Sequence, residues 1–178
     1  MQIKEGIHLA YCTNIHRGEG WEETFQGLKE YSLKVKDKVS NTDPFAIGLR
    51  LGYKAALELS EEGSGRLDQF IKWLDDNNCY IFTINGFPYG QFHGARVKEQ
   101  VYRPDWTSNS RLEYTNLLFD ILSKILPEGM SGSVSTLPGS FKEFITNEDE
   151  QGAVSYTHLR AHETREDRVC RRLRGKKK

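Results

Sequence analysis

The sequence predicts an α/β fold, a partial (β/α)8 TIM barrel of about the first four βα units, followed by a disordered or artefactual tail. Three observations carry this. Four β-prone apolar segments begin near residues 6, 45, 79 and 132, spaced by roughly the length of a βα unit. Helical patterns stand between them, and parallel neighbours need helical crossovers. Polar residues also collect just after each segment: Asn14 and His16, Arg50, Asn85, and Thr136. In a barrel those positions form the functional face, because the βα loops sit at the strand C-termini.

The elements follow in order. Residues 6–13 (GIHLAYCT) are apolar and β-prone. Trp21 opens a helix over 21–39 with Phe25, Leu28, Leu33 and Val35 at helical spacing. Glu22 and Glu23 suit the positive end of its dipole. The Asn41-Thr42-Asp43-Pro44 turn introduces a second strand over 45–51 (FAIGLRL), and a helical turn over 54–59 follows. Leu67, Phe70, Ile71 and Leu74 fall on one face of a helix over 65–77. Residues 79–85 give a third strand, beginning CYIFTI. Ser108 or Ser110 caps a helix over 109–126 whose face is Leu112, Leu117, Leu118, Ile121 and Ile125. Pro127-Glu128-Gly129 stops it, and 132–136 (GSVST) is a weaker fourth strand. A dinucleotide-binding reading would need GxGxxG after the first strand, where NIHRGEG stands instead, and no GxxxxGK[ST] occurs.

Composition bounds the class. Apolar residues are 37% and charged residues 28% of the 178, a globular rather than disordered balance. The longest apolar runs are a few residues, against the roughly 20 that span a bilayer, so no membrane span is expected. The N-terminus has no basic patch followed by an apolar run, so the expected compartment is the cytoplasm. Cys12, Cys79 and Cys170 are spaced too widely for a disulfide framework or a zinc site.

The zero net charge hides an asymmetry. Residues 153–178 carry nine Lys+Arg against three Asp+Glu, and residues 1–152 carry sixteen against twenty-two. Val154 to Arg165 (VSYTHLRAHETR), running on to Cys170, resembles the translation of a sequencing-library adapter. Residues 1–152 are therefore expected to be the N-terminal part of a barrel and 153–178 a non-native basic tail. The alternative for the tail is a basic segment for nucleic acid or acidic lipid. With the tail set aside, no nucleic-acid partner is expected.

Family resemblance enters on four strings: HLAYCTNIHRGEGW, FAIGLRL, YIFTINGFPYGQFHGARVKEQVYRPDW and LPEGMSGSVSTLPGSFK. They resemble the metabolite traffic protein EboE family, over nearly all of residues 6–150. The resemblance implies a xylose-isomerase-like TIM barrel, akin to sugar-phosphate isomerases and epimerases. It also implies a longer parent, whose second half carries acidic residues of the kind that bind a divalent metal in the isomerase relatives. No metal ligand is assignable in this chain, which ends before them. The expected partners are a small-molecule metabolite and other proteins of the same metabolite-traffic system. The implied function is metabolite processing of the isomerase/epimerase-like type, and a chain of this length is expected to be inactive and to fold poorly. The alternative is a non-catalytic barrel that escorts a metabolite to a transporter or partner enzymes; fold alone does not decide between them.

The candidate substrate-binding residues are His16, Arg50, Asn85, His93, Arg96 and Lys98. His16 follows the first strand, where a side chain can enter the pocket or serve structure. Arg50 stands among apolar neighbours, and a buried Arg needs an ion pair or a substrate anion. The 85–94 loop is the strongest local signal. Gly86 and Gly90 permit positive φ, Pro88 stiffens the turn, and Phe87, Tyr89 and Phe92 supply flat walls. His93 with Gly94 allows close approach, and Arg96 with Lys98 suits an anionic group. The alternative for this loop is a packed cover on the barrel mouth. His8 is expected as a hydrogen-bonded interior residue, Cys12 as core packing, and Tyr102 to Trp106 as a rigid linker. Thr136, Pro138 and Gly139 would line the same mouth. No catalytic residue is assignable from these residues.

Overall fold

The structure is a computed structural model and describes residues 1–40, 42–90 and 101–145. His93, Arg96 and Lys98 of the candidate site, and the whole 153–178 tail, lie outside the described residues.

The fold is mixed α/β, built on a four-stranded parallel sheet with strand order β3-β4-β5-β6. Its strands are β3 (Tyr11–Cys12), β4 (Phe45–Arg50), β5 (Cys79–Asn85) and β6 (Ser133–Ser135). Neighbours in the sheet are neighbours in the chain, and all three pairings are parallel. Among the described residues no further strand joins the outer edge of β3 or of β6.

The first strand departs from expectation. Residues 6–13 do not form one strand. Ile7–His8 (β2) pairs antiparallel with Gln2–Lys4 (β1) around Gly6, whose φ is +73°. Leu9 N–H donates to the Met1 carbonyl at 2.8 Å, and the Met1 ammonium to the Leu9 carbonyl at 2.9 Å. The backbone groups of 7–9 are thereby spent on the N-terminal residues, which leaves only Tyr11 and Cys12 to pair with Ile47 and Gly48.

The remaining elements form where the pattern put them. Trp21–Gly27 (α1) and Leu33–Val39 (α2) are joined by a π-helical turn over Leu28–Ser32, making one helical run of the expected extent. The Trp21 N–H at its start donates to the Glu58 carboxylate at 2.6 Å. Tyr53–Ser60 (α3) and Arg66–Asp76 (α4) precede β5, and Asn109–Ile125 (α5) precedes β6. Ser108 caps α5, its hydroxyl accepting from the Ser110 N–H. Asn78 enters β5 at φ +50°, a conformation that Asn tolerates better than most residues.

Burial follows the pleat. Phe45, Ile47 and Leu49 of β4 are fully buried and belong to the main core, with α3, α4 and α5 packed against the same face. Ala46, Gly48 and Arg50 alternate onto the opposite face. Register places them beside Tyr80, Thr83 and Asn85 of β5, and Thr83 and Asn85 beside Ser133 and Ser135 of β6. This second face is short and hydroxyl-rich near the strand C-termini. Thr83 and Ser133 hydroxyls lie 2.9 Å apart, and the Ser135 hydroxyl donates to Asn85 Oδ1 at 3.1 Å. Among the described residues no helix is long and apolar enough to cross a membrane.

Candidate functional site

The site begins at Thr13, the residue after β3. Its buried hydroxyl donates to the Gly48 carbonyl at 3.4 Å and accepts the Arg50 backbone N–H at 2.8 Å. These two hydrogen bonds tie the exit of β3 to the end of β4 and set the level at which Arg50 leaves the sheet. Arg50 is 6% exposed. Its Nη2 donates to the Gly18 carbonyl at 2.5 Å, across the loop that leads into α1. Burial draws its pKa below the ordinary guanidinium value, opposed by Tyr114 and by the Glu19 charge. Among the described residues a backbone carbonyl, rather than a carboxylate, receives this guanidinium.

His16 stands on the same loop. Its Nε2 lies 3.0 Å from the Tyr11 hydroxyl, and its ring stacks on Tyr31 of the π-turn with centroids 5.1 Å apart. Burial lowers its pKa below the ordinary imidazole value, which favours the neutral ring. His16 and Arg50, with Thr13, Arg17, Thr24 and Leu28, enclose a cavity of about 10 Å³. His16 and Arg17 also border a wider outer cleft of about 440 Å³, walled by Tyr31, Ile15, Glu23 and Glu30.

Asn85 is one strand over, in direct register with Arg50. Its Oδ1 accepts the Phe87 N–H at 3.0 Å and the Ser135 hydroxyl. The amide therefore turns the chain at the β5 exit and joins it to β6. The structure thus brings Arg50 and Asn85 into one row and His16 and Arg50 around one cavity. Thr136 follows that row, and its buried Oγ1 has no hydrogen-bond partner among the described residues.

Several expectations need correction. Gly86 and Gly90 are not in the positive-φ region; Gly86 is needed because a Cβ there would lie 2.3 Å from Leu118 Cδ1. Cys12 is exposed rather than packed in the core. His8 is hydrogen-bonded as expected, its Nδ1 lying 2.8 Å from the Tyr80 hydroxyl, but it does so from the β1–β2 hairpin. Trp106 is buried against Leu137, Phe87, Tyr102 and Leu112, and its Nε1 donates to the Leu137 carbonyl at 3.0 Å.

Two site-shaping residues escaped the sequence reading. Arg111 is fully buried, and its guanidinium donates to Pro104 at 2.7 Å, Gly86 at 2.9 Å and Phe87 at 3.3 Å, each through the carbonyl. Burial brings its pKa down to about 10. Tyr114, one turn on, places its hydroxyl 2.5 Å from the Leu51 carbonyl and 3.2 Å from that of Pro88. Burial pushes its pKa up. A signal was present: 111, 114, 118, 121 and 125 continue one helical face, so Arg111 and Tyr114 had to point where Leu118 and Ile121 point. Asp105 closes the far side of the loop, accepting from Ser140 and Thr107. Burial acts to raise its pKa, and those hydrogen bonds outweigh it, holding the carboxyl below the ordinary value.

No family model, curated protein or solved structure matches this chain. Among the described residues no three His, Cys, Asp or Glu side chains come together as a metal-ligand group.

Proposed function

We propose that the described residues form the first four βα units of a xylose-isomerase-like (β/α)8 barrel of the metabolite-traffic type, which holds a small metabolite at its strand C-terminal ends. The sheet order supports this. A barrel runs through its strands in chain order, whereas a doubly wound sheet reverses at a switch point, and β3-β4-β5-β6 has no reversal. Helices packed on one face leave the other to point inward, and its hydroxyl-rich part lies near the strand C-termini, where a barrel has its mouth. The observation that carries the binding assignment is the meeting of His16 and Arg50 around one cavity, with Asn85 in register beside Arg50. His93, Arg96 and Lys98 belong to the same proposal as contacts from the third loop. A cytoplasmic setting, and partners within the same metabolite-traffic system, complete it.

A second reading, the non-catalytic escort, is favoured by one feature. Among the described residues the inner cavity offers Arg, Thr and Leu side chains, no carboxylate and one imidazole whose Nε2 is already 3.0 Å from the Tyr11 hydroxyl, a set better suited to holding a ligand than to the paired acid and base of an isomerase. Both readings are tested on the same protein. Melting temperatures are screened against a panel of hydroxylated metabolites, and hits are followed by titration calorimetry and by mass spectrometry of the recovered ligand. Saturable binding that weakens in His16→Asn, measured where the variant still melts cooperatively, is the expected result. A ligand returned isomerised or epimerised assigns the enzyme; one returned unchanged assigns the escort. Binding indifferent to His16→Asn and to Arg50→Lys would overturn the site.

A further inference from the structure

Among the described residues two arginines are buried, and they are not equivalent. The Arg111 guanidinium uses Nε, Nη1 and Nη2 on three carbonyls. Arg50 is nearly as buried, yet among the described residues its guanidinium donates only through Nη2, to Gly18. A planar guanidinium has five N–H donors. A buried cation left with unused donors and no carboxylate bonded to it is costly unless something else meets it. The side chain borders the cavity under the 13–20 loop, and Arg17 borders the same cavity. The two hydroxyls there, and His16 through Nε2, already have partners. The Thr13 hydroxyl proton is spent on Gly48 and that of Thr24 on Gly20. Arg50 and Arg17 bring two positive charges to the cavity lining, and among the described residues no carboxylate lines it.

We propose that this cavity is an anion subsite, receiving one oxygen of a carboxylate or phosphate group between Arg50 and Arg17. This deepens the binding reading above and rests on it. About 10 Å³ admits one water-sized group, so a single oxygen enters while the body of the ligand stays in the outer cleft. His16 and Arg17 border both spaces. Glu23 and Glu30 on the outer cleft repel a second anionic group and accept from hydroxyls, which orients the ligand with its charge inward. Arg50 supplies a charge-assisted hydrogen bond in a water-poor setting, and Arg17 supplies attraction at the entrance.

The test uses the full chain and two probes, inorganic phosphate and acetate, each titrated at constant ionic strength against chloride. The readouts are the Arg50 Nε–Hε and Gly18 amide resonances. Saturable shifts are expected, with affinity falling about threefold to fivefold in Arg17→Ala, the worth of one exposed charge contact. Arg17 is exposed, so this variant keeps the fold, and its melting temperature serves as the control. Saturation by phosphate alone assigns a phosphate group, by acetate alone a carboxylate, and by both a general oxyanion site. Shifts that never saturate, or that ignore Arg17→Ala, overturn the proposal. If neither probe saturates while metabolite binding still depends on His16, the anion subsite falls and the binding site stands. If the anions bind and no metabolite does, the subsite stands and the metabolite reading falls.

Discussion

The Arg111 guanidinium donates to the Gly86 carbonyl at 2.9 Å, which fastens the exit of β5 to the start of α5. The same side chain holds the Phe87 and Pro104 carbonyls, so one residue gathers the loop that follows β5 with the segment that leads into α5. Below it Tyr114 reaches Leu51 and Pro88. The mouth of the sheet is therefore shaped from beneath, by a helix, before any ligand contact is made.

Replacing Arg111 with Met leaves three carbonyls without their donor in a buried setting. An unsatisfied buried polar group costs about 1–3 kcal/mol, so the variant is expected to lose roughly 3 kcal/mol or more. For a chain of this size that is a fall of about 6–12 °C in melting temperature. Arg111→Lys keeps the charge but not the fork, and is expected to fall between wild type and Met. Thermal melts followed by circular dichroism check the order. A Met variant as stable as wild type would show that the three carbonyls find other donors.

Gly86 is constrained by space. Its backbone is outside the positive-φ region, but a Cβ would meet Leu118 Cδ1 at 2.3 Å and the Ser135 carbonyl at 3.1 Å. Gly86→Ala is expected to cost about 1–3 kcal/mol through overpacking, and Leu118→Ala about 2–5 kcal/mol through the cavity it leaves. In the double variant the methyl enters the vacated space, so the combined loss should be smaller than the two losses together. Denaturant titrations of the four proteins measure the coupling. Strict additivity would mean that Leu118 is not what excludes the methyl.

How far these features were legible in the sequence depends on their range. FAIGLRL reads as a strand because seven consecutive residues agree, and the Leu67-Phe70-Ile71-Leu74 stripe fixes α4 by period alone. The first strand was misread because its fate is decided by Met1 and Gln2–Lys4, which capture residues 7–9 through backbone bonds that leave no side-chain pattern. The glycine at 86 was singled out correctly for the wrong reason, since a steric requirement and a torsional one look alike in sequence. Arg50 and Asn85 were singled out because polar residues at strand ends are conspicuous, and the sheet sets the two in register. Thr13 was not singled out, being one hydroxyl inside a β-prone run, and its two bonds are tertiary.

His16 gives stability a pH dependence of known sign. Burial lowers its pKa below the ordinary 6.5, so on acidification the unfolded chain takes up its proton first. Stability that is fully present above pH 6.5 is therefore lost as pH falls toward the lowered value. His16→Asn is expected to remove that share of the acid slope while the rest of the profile stays in place. Unfolding free energies measured between pH 7 and 5 check this. A steeper slope in the variant would mean that the imidazole gains, rather than loses, from being charged in the fold.

The two described thiols should behave oppositely. Cys12 is exposed, while Cys79 is buried at the start of β5, with its thiol directed to the Asn77 carbonyl at 3.4 Å. Burial raises the Cys79 pKa from 9.0 to about 11, and the thiolate is the reactive form. Iodoacetamide at pH 8 is therefore expected to label Cys12 and leave Cys79 intact in the folded protein, as peptide mapping by mass spectrometry would record. The same shift acts on stability at alkaline pH. Between the two values the unfolded chain releases the proton and the folded chain keeps it, so stability falls as pH rises from about 9 to about 11. Two pKa units correspond to about 2–3 kcal/mol when the fall is complete. Tyr114, also raised by burial, steepens the same limb, so the comparison that isolates the thiol is wild type against Cys79→Ala. The variant should be less stable at pH 8 by the small cavity it opens, and should then lose less on going to pH 11. Parallel profiles, or Cys79 alkylating as fast as Cys12, would mean that the β5 entrance opens readily in the native state.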